Sequence, residues 1–472
     1  MKNNFLLFCM LIVSGTLFAQ SGHIMQGIGA VNMSMGGAAT GQSLDFNGAI
    51  LWNPAGIAKY NGSEISLSVG AFSASPTLKS SLPSGMMFPG APAVKGTTND
   101  DKGMSILPAI AYLWGKEGSK HTFAVSAFGI SGFGVKFPQE TNLPVDNSGN
   151  PNPNWNPNDS NPINYPQNMR GFGLVESNYM LLQISFTYAY QLSEKVSLGF
   201  QPNFNYEAIK LSPNPIATPD MIKGYPETDN TSAMGYGAQF GIYYDSGKLL
   251  KLGASYKTKQ YFNEFDFKQN YLDGSDAPNA TFTMNYPAIW SLGMGLSCKK
   301  LDFAFDFRYV DYENTEGFAE SGWSLNKDTA SPMFGYPTGS VKGFGWKSMT
   351  ILSAGLQYRI KDNLPVRFGF THNSSPIKDE LAFFSIPATA VVQDAAQIGF
   401  GYKINNKFEL NLVYHKGFRG KGVKGTLLDP TPQAFGGPWD ATNNPLGAIP
   451  GTSVSYDMDT SMFQFTLNYK LK

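Results

Sequence analysis

The sequence predicts an all-β chain, a transmembrane antiparallel β-barrel of about fourteen strands with a small N-terminal hatch, or plug, inside its lumen. Three observations lead there. Strand-length runs alternate apolar and polar side chains along the whole chain. Short turns and long polar loops take turns between those runs. Beyond the N-terminal segment, no apolar run is long enough to cross a bilayer as a helix.

The last strand states the pattern most plainly. Residues 463–472 place Phe463, Phe465, Leu467, Tyr469 and Leu471 on one face and Gln464, Thr466, Asn468, Lys470 and Lys472 on the other. The run 179–190 sets Met180, Leu182, Ile184, Phe186, Tyr188 and Tyr190 against Gln183, Ser185 and Thr187. In 301–309, Phe305 and its apolar neighbours oppose Asp302, Ala304, Asp306 and Arg308. In 408–415, Glu409, Asn411 and His415 form the polar side. A greasy face along every strand implies lipid on the outside, and the polar faces imply a wet lumen. Tyr112, Trp114, Tyr190, Tyr243, Tyr244, Tyr358, Tyr402 and Tyr469 flank these runs as an interfacial girdle would.

Short turns are expected at 115–119, 193–195, 246–248, 298–300, 361–364 and 405–407. Long connections are expected at about 76–102, 132–177, 209–231, 261–281, 313–345, 375–391 and 417–451. Six hairpins, a first strand near 63–75 and the final strand make fourteen, the even number that single-chain bacterial barrels require. The Asn/Pro-rich tract 142–167 reads as an extended surface loop. Within it, 146–150 lacks the spacing and closing Glu of a calcium loop and reads as a turn.

The N-terminus reads as a signal peptide over 1–19, with Lys2, an apolar stretch from Phe5 to Val13 and a cut after Ala19. The remaining chain keeps Cys298 alone, so no internal disulfide can form. With 35 basic and 35 acidic residues the net charge is zero, which argues against nucleic acid as a partner. Residues 20–60 are crowded with Gly and Ala, a poor independent core that suits packing inside another structure. Ile50, Leu51, Trp52 and Ile57 need burial there. The expected division is therefore 1–19 signal, 20–60 hatch and 61–472 barrel.

The hatch carries the most specific motif. Ser34-Met35-Gly36-Gly37-Ala38, then Asp45, then Ile50-Leu51-Trp52-Asn53-Pro54-Ala55-Gly56, resembles the N-terminal hatch of the FadL/TodX (OMPP1) family of outer-membrane long-chain fatty-acid and aromatic-hydrocarbon transport proteins. The stretch 127–134, with Gly129, Gly132 and Gly134, is similar to that family's glycine-containing third strand. Elsewhere the likeness is one of architecture. The resemblance implies a bacterial outer-membrane channel that passively takes up a hydrophobic small molecule. The ligand would leave sideways through the barrel wall at a kinked third strand after the hatch moves. It also implies outer-membrane lipid and the barrel-assembly machinery as partners. Pro108 in the second strand has no N–H to give to a ladder, and Gly129, Gly132 and Gly134 tolerate a bend beside it. A wall would part most cheaply there. The alternative puts Pro108 at the outer rim and lets the glycines begin a loop.

Chemistry for catalysis is missing from the sequence. His23, His121, His372 and His415 stand singly without metal-ligand spacing, and neither a nucleotide-binding glycine motif nor a nucleophile elbow is present. No cofactor, metal or catalytic residue is expected. A porin for polar solutes is the alternative within transport. A barrel lipase, with His415 as its one candidate base, and a loop-bearing adhesin are the alternatives outside it.

Overall fold

The computed structural model describes residues 22–146 and 148–471, so the expected signal segment lies outside the described residues. Fourteen antiparallel strands form one closed wall: β1 (Gly62–Leu82), β2 (Met104–Gly115), β3 (His121–Phe137), β4 (Val175–Gln191), β5 (Val196–Ser212), β6 (Thr231–Asp245), β7 (Leu250–Lys257), β8 (Ala288–Cys298), β9 (Leu301–Asp311), β10 (Met349–Lys361), β11 (Leu364–Asn373), β12 (Asp394–Lys403), β13 (Phe408–Gly417) and β14 (Ser453–Lys470). Each pairs with its chain neighbour, and β14 closes on β1 in a continuous register from Glu64↔Lys470 to Ser81↔Ser453. Closure gives the wall no free edge, which matters in lipid, where water cannot satisfy a strand's outer row of N–H and C=O groups. All six expected short turns lie between paired strands.

Side chains follow the two-residue period. On β9, Phe305 and Phe307 point outward while Ala304, Asp306 and Arg308 are buried inside. On β4, Met180, Ile184 and Phe186 are exposed and Gln183, Ser185 and Thr187 are buried. Stacked pairs at the short-turn end, Tyr112–Trp114 at 5.4 Å and Phe408–Tyr469 at 4.6 Å, occupy the expected girdle. Toward the other end, Trp290 stands between Tyr256 (5.1 Å) and Tyr309 (5.7 Å) on the outer face. Tyr243 departs from the expectation. It faces inward and is buried, its ring 5.9 Å from the Lys59 ammonium, because the alternation on β6 puts Tyr244 on the outer side.

Two further expectations are corrected. The lumen is not wet at the level of Asp302, Asp306, Arg308 and His415. All four face it and all are buried, because chain segment 22–60 fills the space. The Asn/Pro-rich tract is not wholly extended over the surface. Its second half, Ser160–Tyr165, is buried, with Asn161 donating to the carbonyl of Leu78 at 3.1 Å and to Thr98 Oγ1 at 2.8 Å. Asparagine amides replace the missing ladder for this proline-broken chain. The adjoining strand Val94–Asn99 pairs with the outer part of β1, so this corner of the barrel stands tall and capped.

Inside the lumen, the hatch forms α1 (Gly29–Ser34), α2 (Phe46–Trp52) and a 3-10 helix, Pro54–Lys59. Helices this short do not persist in water by themselves. They are held by packing against the wall, with Ile50, Leu51, Trp52 and Ile57 buried.

Candidate functional site

The hatch is fastened to strands around the whole wall, and its charged anchor lies on β9. The Asp306 carboxylate, on the inner face of β9, accepts the backbone N–H groups of both Ala39 and Thr40 at 2.8 Å. Arg308 pairs with the same carboxylate at 2.5 Å and donates to the carbonyl of Gly37 at 2.7 Å. Its guanidinium also lies 3.7 Å over the ring of Trp52. A charge pair this deep is tolerated because hydrogen bonds from the hatch meet most of its needs. On β11, Thr371 donates to the carbonyl of Gly36 at 2.9 Å.

The hatch motif residues lie partly at this contact and partly against β5 and β6. Gly36 and Gly37 have φ of 68° and 76°, and a Cβ on Gly36 would collide with the backbone of β10 and β11. Asp45 caps α2, accepting the N–H of Gly48 at 3.1 Å. Burial raises its carboxyl to about 7, and its second oxygen has no partner. The amide of Asn53 donates to the carbonyls of Thr40 (2.9 Å) and Ile242 (3.0 Å), while its oxygen accepts the N–H of Ala55 at 3.2 Å. Pro54 opens the 3-10 helix, where its lack of an N–H costs nothing. The carbonyl of Ala55 accepts from Ser197 at 2.9 Å, and Gly56 packs on Ala49. On the wall, Gly199, Gly253 and Gly369 face the hatch backbone so closely that any side chain would overlap it. These wall glycines were missed in the sequence, although glycine on the polar face of a strand was the signal.

The opposite side of the wall is different. The ladder between β2 and β3 runs only from Gly115↔Thr122 to Ala109↔Phe128 and stops one residue before Pro108. Pro108 itself pairs with Val69 of β1, within the strand rather than at its outer rim. Beyond Phe128, β3 carries a bulge: Gly129 opposes Leu182 and Ser131 opposes Leu181 of β4, leaving Ile130 extra. One added residue reverses which side chains face in. Phe128 is buried before it, and Val135 and Phe137 after it. Gly129 has open space where a side chain would be, and Gly132 lies against the carbonyl of Tyr179. The hatch takes over part of the lost pairing: Met25 N–H donates to the Ile130 carbonyl at 3.0 Å, and Gly132 N–H to the His23 carbonyl at 3.1 Å.

A cavity of about 370 Å³ fills this interrupted seam. Met33, His415 and Met462 line it from the lumen, and the outward-facing Ile106, Met180 and Leu182 line it from the lipid side. The seam closes again farther out. There Asp101 N–H donates to the Lys136 carbonyl at 2.8 Å, and the Asp100 carboxylate accepts the Lys136 N–H at 2.6 Å. The gap is thus a window with an upper and a lower sill.

Beside the window, His23 stands in a cage of aromatic rings. It stacks on Phe318 at 4.8 Å and 18° and lies within 5.4–6.3 Å of Tyr312, Trp346, Tyr286, Tyr179 and Phe133. Nδ1 meets the Tyr312 hydroxyl at 2.7 Å, whereas Nε2 has no partner. Burial lowers the imidazole to about 3, so it stays neutral. Sequence reading singled out none of these rings for the site, since they come from β3, β4 and two separate outer connections. Among the described residues no cluster of His, Cys, Asp or Glu could hold a metal ion.

Residues 169–456 match the family described as outer membrane protein transport protein (OMPP1/FadL/TodX), and the chain belongs to that family of the bacterial outer membrane. No curated protein sequence matches significantly. Among solved structures, the toluene transporter TodX of P. putida superposes with a TM-score of 0.61 at 14% identity, covering 95% of this chain and 100% of its own. A Pseudomonas aeruginosa FadL homologue gives 0.65 at 13% identity, covering 96% and 100%. The Ralstonia pickettii toluene transporter TbuX gives 0.61 at 13%, covering 94% and 99%. At these identities the structures establish a shared barrel fold.

Proposed function

We propose that this member of the outer-membrane transport family takes up long-chain fatty acids or aromatic hydrocarbons passively and releases them sideways into the membrane through the window between β2 and β3. The observation that carries this reading is a cavity that touches both the lumen and the lipid-facing surface of an interrupted wall. An apolar ligand gains nothing from an aqueous pore, since each methylene kept out of water is worth about 0.8 kcal/mol. The route begins at an apolar pocket of about 50 Å³ beneath the outer loops, lined by Phe172, Tyr225, Trp323, Phe383 and Ile386. It continues to the aromatic cage. A ligand entering the cage displaces His23, and with it the hydrogen bonds that hold segment 22–26 to β3, so filling the cage clears the inner side of the window. Gly36, Gly37, Asp45, Asn53, Pro54, Ala55 and Gly56 keep the rest of the hatch seated. Pro108, Gly129, Gly132 and Gly134 keep the wall apart.

In this reading residues 20–60 act as the hatch, 61–472 as the barrel, and the segment before them as the export signal. The protein works as a channel and not as an enzyme. Its partners are the ligand, outer-membrane lipid and the barrel-assembly machinery.

The test is uptake of labelled oleate and toluene by cells with and without the protein, with a glucose-sized sugar alongside. Selective gain of either hydrophobic compound supports the reading. Gain of sugar alone makes the protein a porin and overturns it.

A further inference from the structure

The outer sill of the window carries one cation whose partners are all uncharged. The Lys102 ammonium donates to the carbonyl of Ser177 and to Asn178 Oδ1, each at 3.0 Å. To do so it crosses β3 from the connection between β1 and β2 to β4, at the level of Gly134. A side chain on Gly134 would occupy the position of the Lys102 ammonium, so the glycine is what lets the lysine pass. Nearby charges are otherwise committed. Asp100 spends one oxygen on the N–H of Lys136 and the other on the N–H of Lys102. Glu176 pairs with Lys210 at 3.1 Å, and Asp101 with Lys136 at 4.0 Å. Among the described residues no carboxylate lies within ion-pair distance of Lys102.

The cavity below this ammonium is apolar over most of its lining, with Leu107, Phe133, Tyr179, Met180 and Leu181 among its walls. It is therefore amphipathic: at one end stand Lys102, whose ammonium makes no ion pair, and Asp100, whose two oxygens are held by backbone N–H groups, with a lipid-open apolar body below. A lysine has three N–H donors, and two are used here. We propose that Lys102 is a specificity-determining residue of the window: its ammonium receives the carboxylate of a fatty-acid anion while the acyl chain passes between Ile106 and Met180. The inference rests on the lateral-release reading and adds a preference for acidic amphiphiles over neutral ones.

The experiment compares uptake of labelled oleate, oleyl alcohol and toluene by cells producing wild type, Lys102→Met or Lys102→Arg, with barrel assembly checked by heat-modifiable gel mobility. The charge-assisted bond predicts that Lys102→Met loses about fivefold or more of oleate uptake while both neutral compounds stay within about twofold. Lys102→Arg retains oleate. Equal losses for all three compounds would make Lys102 a mere strut and overturn the inference, as would unchanged oleate uptake. Wild type that takes up only the neutral compounds overturns the Lys102 assignment and leaves the uptake reading standing. Wild type that takes up none of the three overturns both.

Discussion

The two seams on either side of the β1–β2 hairpin face the same solvent problem and resolve it differently. Between β14 and β1 the ladder is unbroken over Glu64–Ser81, and its outer part is stitched by Asp457, which pairs with Lys79 at 3.1 Å and also with Arg419. Between β2 and β3 the ladder ends at Ala109, next to a proline on one strand and a glycine-flanked bulge on the other. Backbone groups at membrane depth cannot be left unmet. At the second seam part of them, on β3, are met from inside by hatch segment 23–25. A barrel can thus hold a gap in its wall where another piece of its own chain takes over part of the missing pairing. The fastening of the hatch to β9, β11 and other strands of the wall keeps that piece in reach.

Four perturbations would break or sharpen this contrast. The largest effect is expected from Asp306→Leu. It removes the acceptor of two hatch N–H groups and leaves Arg308 buried without its partner, at a cost of about 3–5 kcal/mol. Denaturant unfolding in lipid should show the loss, and single-channel recording should show new steady conductance. An unchanged, silent channel would mean that the hatch is held elsewhere. Phe305→Arg, on the lipid face of the same strand, should cost about 2–4 kcal/mol in unfolding without opening the lumen. Conductance appearing in that variant would remove the separation between wall and hatch.

The third perturbation is acid. The folded pKa of His23 lies at about 3, below the ordinary 6.5, so the unfolded state binds more protons between those values. Stability contributed by neutral His23 is therefore present above 6.5 and is lost progressively as pH falls toward 3. At pH 5 the loss amounts to roughly 2 kcal/mol. His23→Phe should lack this component. Burial raises Asp45 to about 7 and acts in the opposite direction, but it is common to both proteins and cancels in the difference. Parallel pH profiles for wild type and variant would contradict the buried cage.

The smallest effect belongs to Pro108→Val, which restores one backbone donor at the end of the short ladder. It should slow hydrophobic uptake about two- to tenfold, in proportion to one hydrogen bond, with little change in stability. Faster uptake would show that the proline is not what holds the seam apart.

The sequence alone determined the barrel, its strand count, its turns, which side chains meet lipid, and the need to bury Ile50, Leu51, Trp52 and Ile57. Those features follow from a two-residue period and from turn chemistry, which are local and survive in any closed sheet. Tyr243 shows the limit of that reading, since an aromatic beside a turn looks the same whichever face it occupies. Only the tertiary structure decided that Asp306 and Arg308 grip the hatch instead of lining water. It alone decided that Asn161 folds back into the mouth, that six rings from two strands and two outer connections enclose His23, and that Lys102 passes over Gly134. Each of these joins groups far apart in the chain. A hydrogen bond or a ring stack is fixed by where the closed wall brings its partners, and no local period in the sequence records that position.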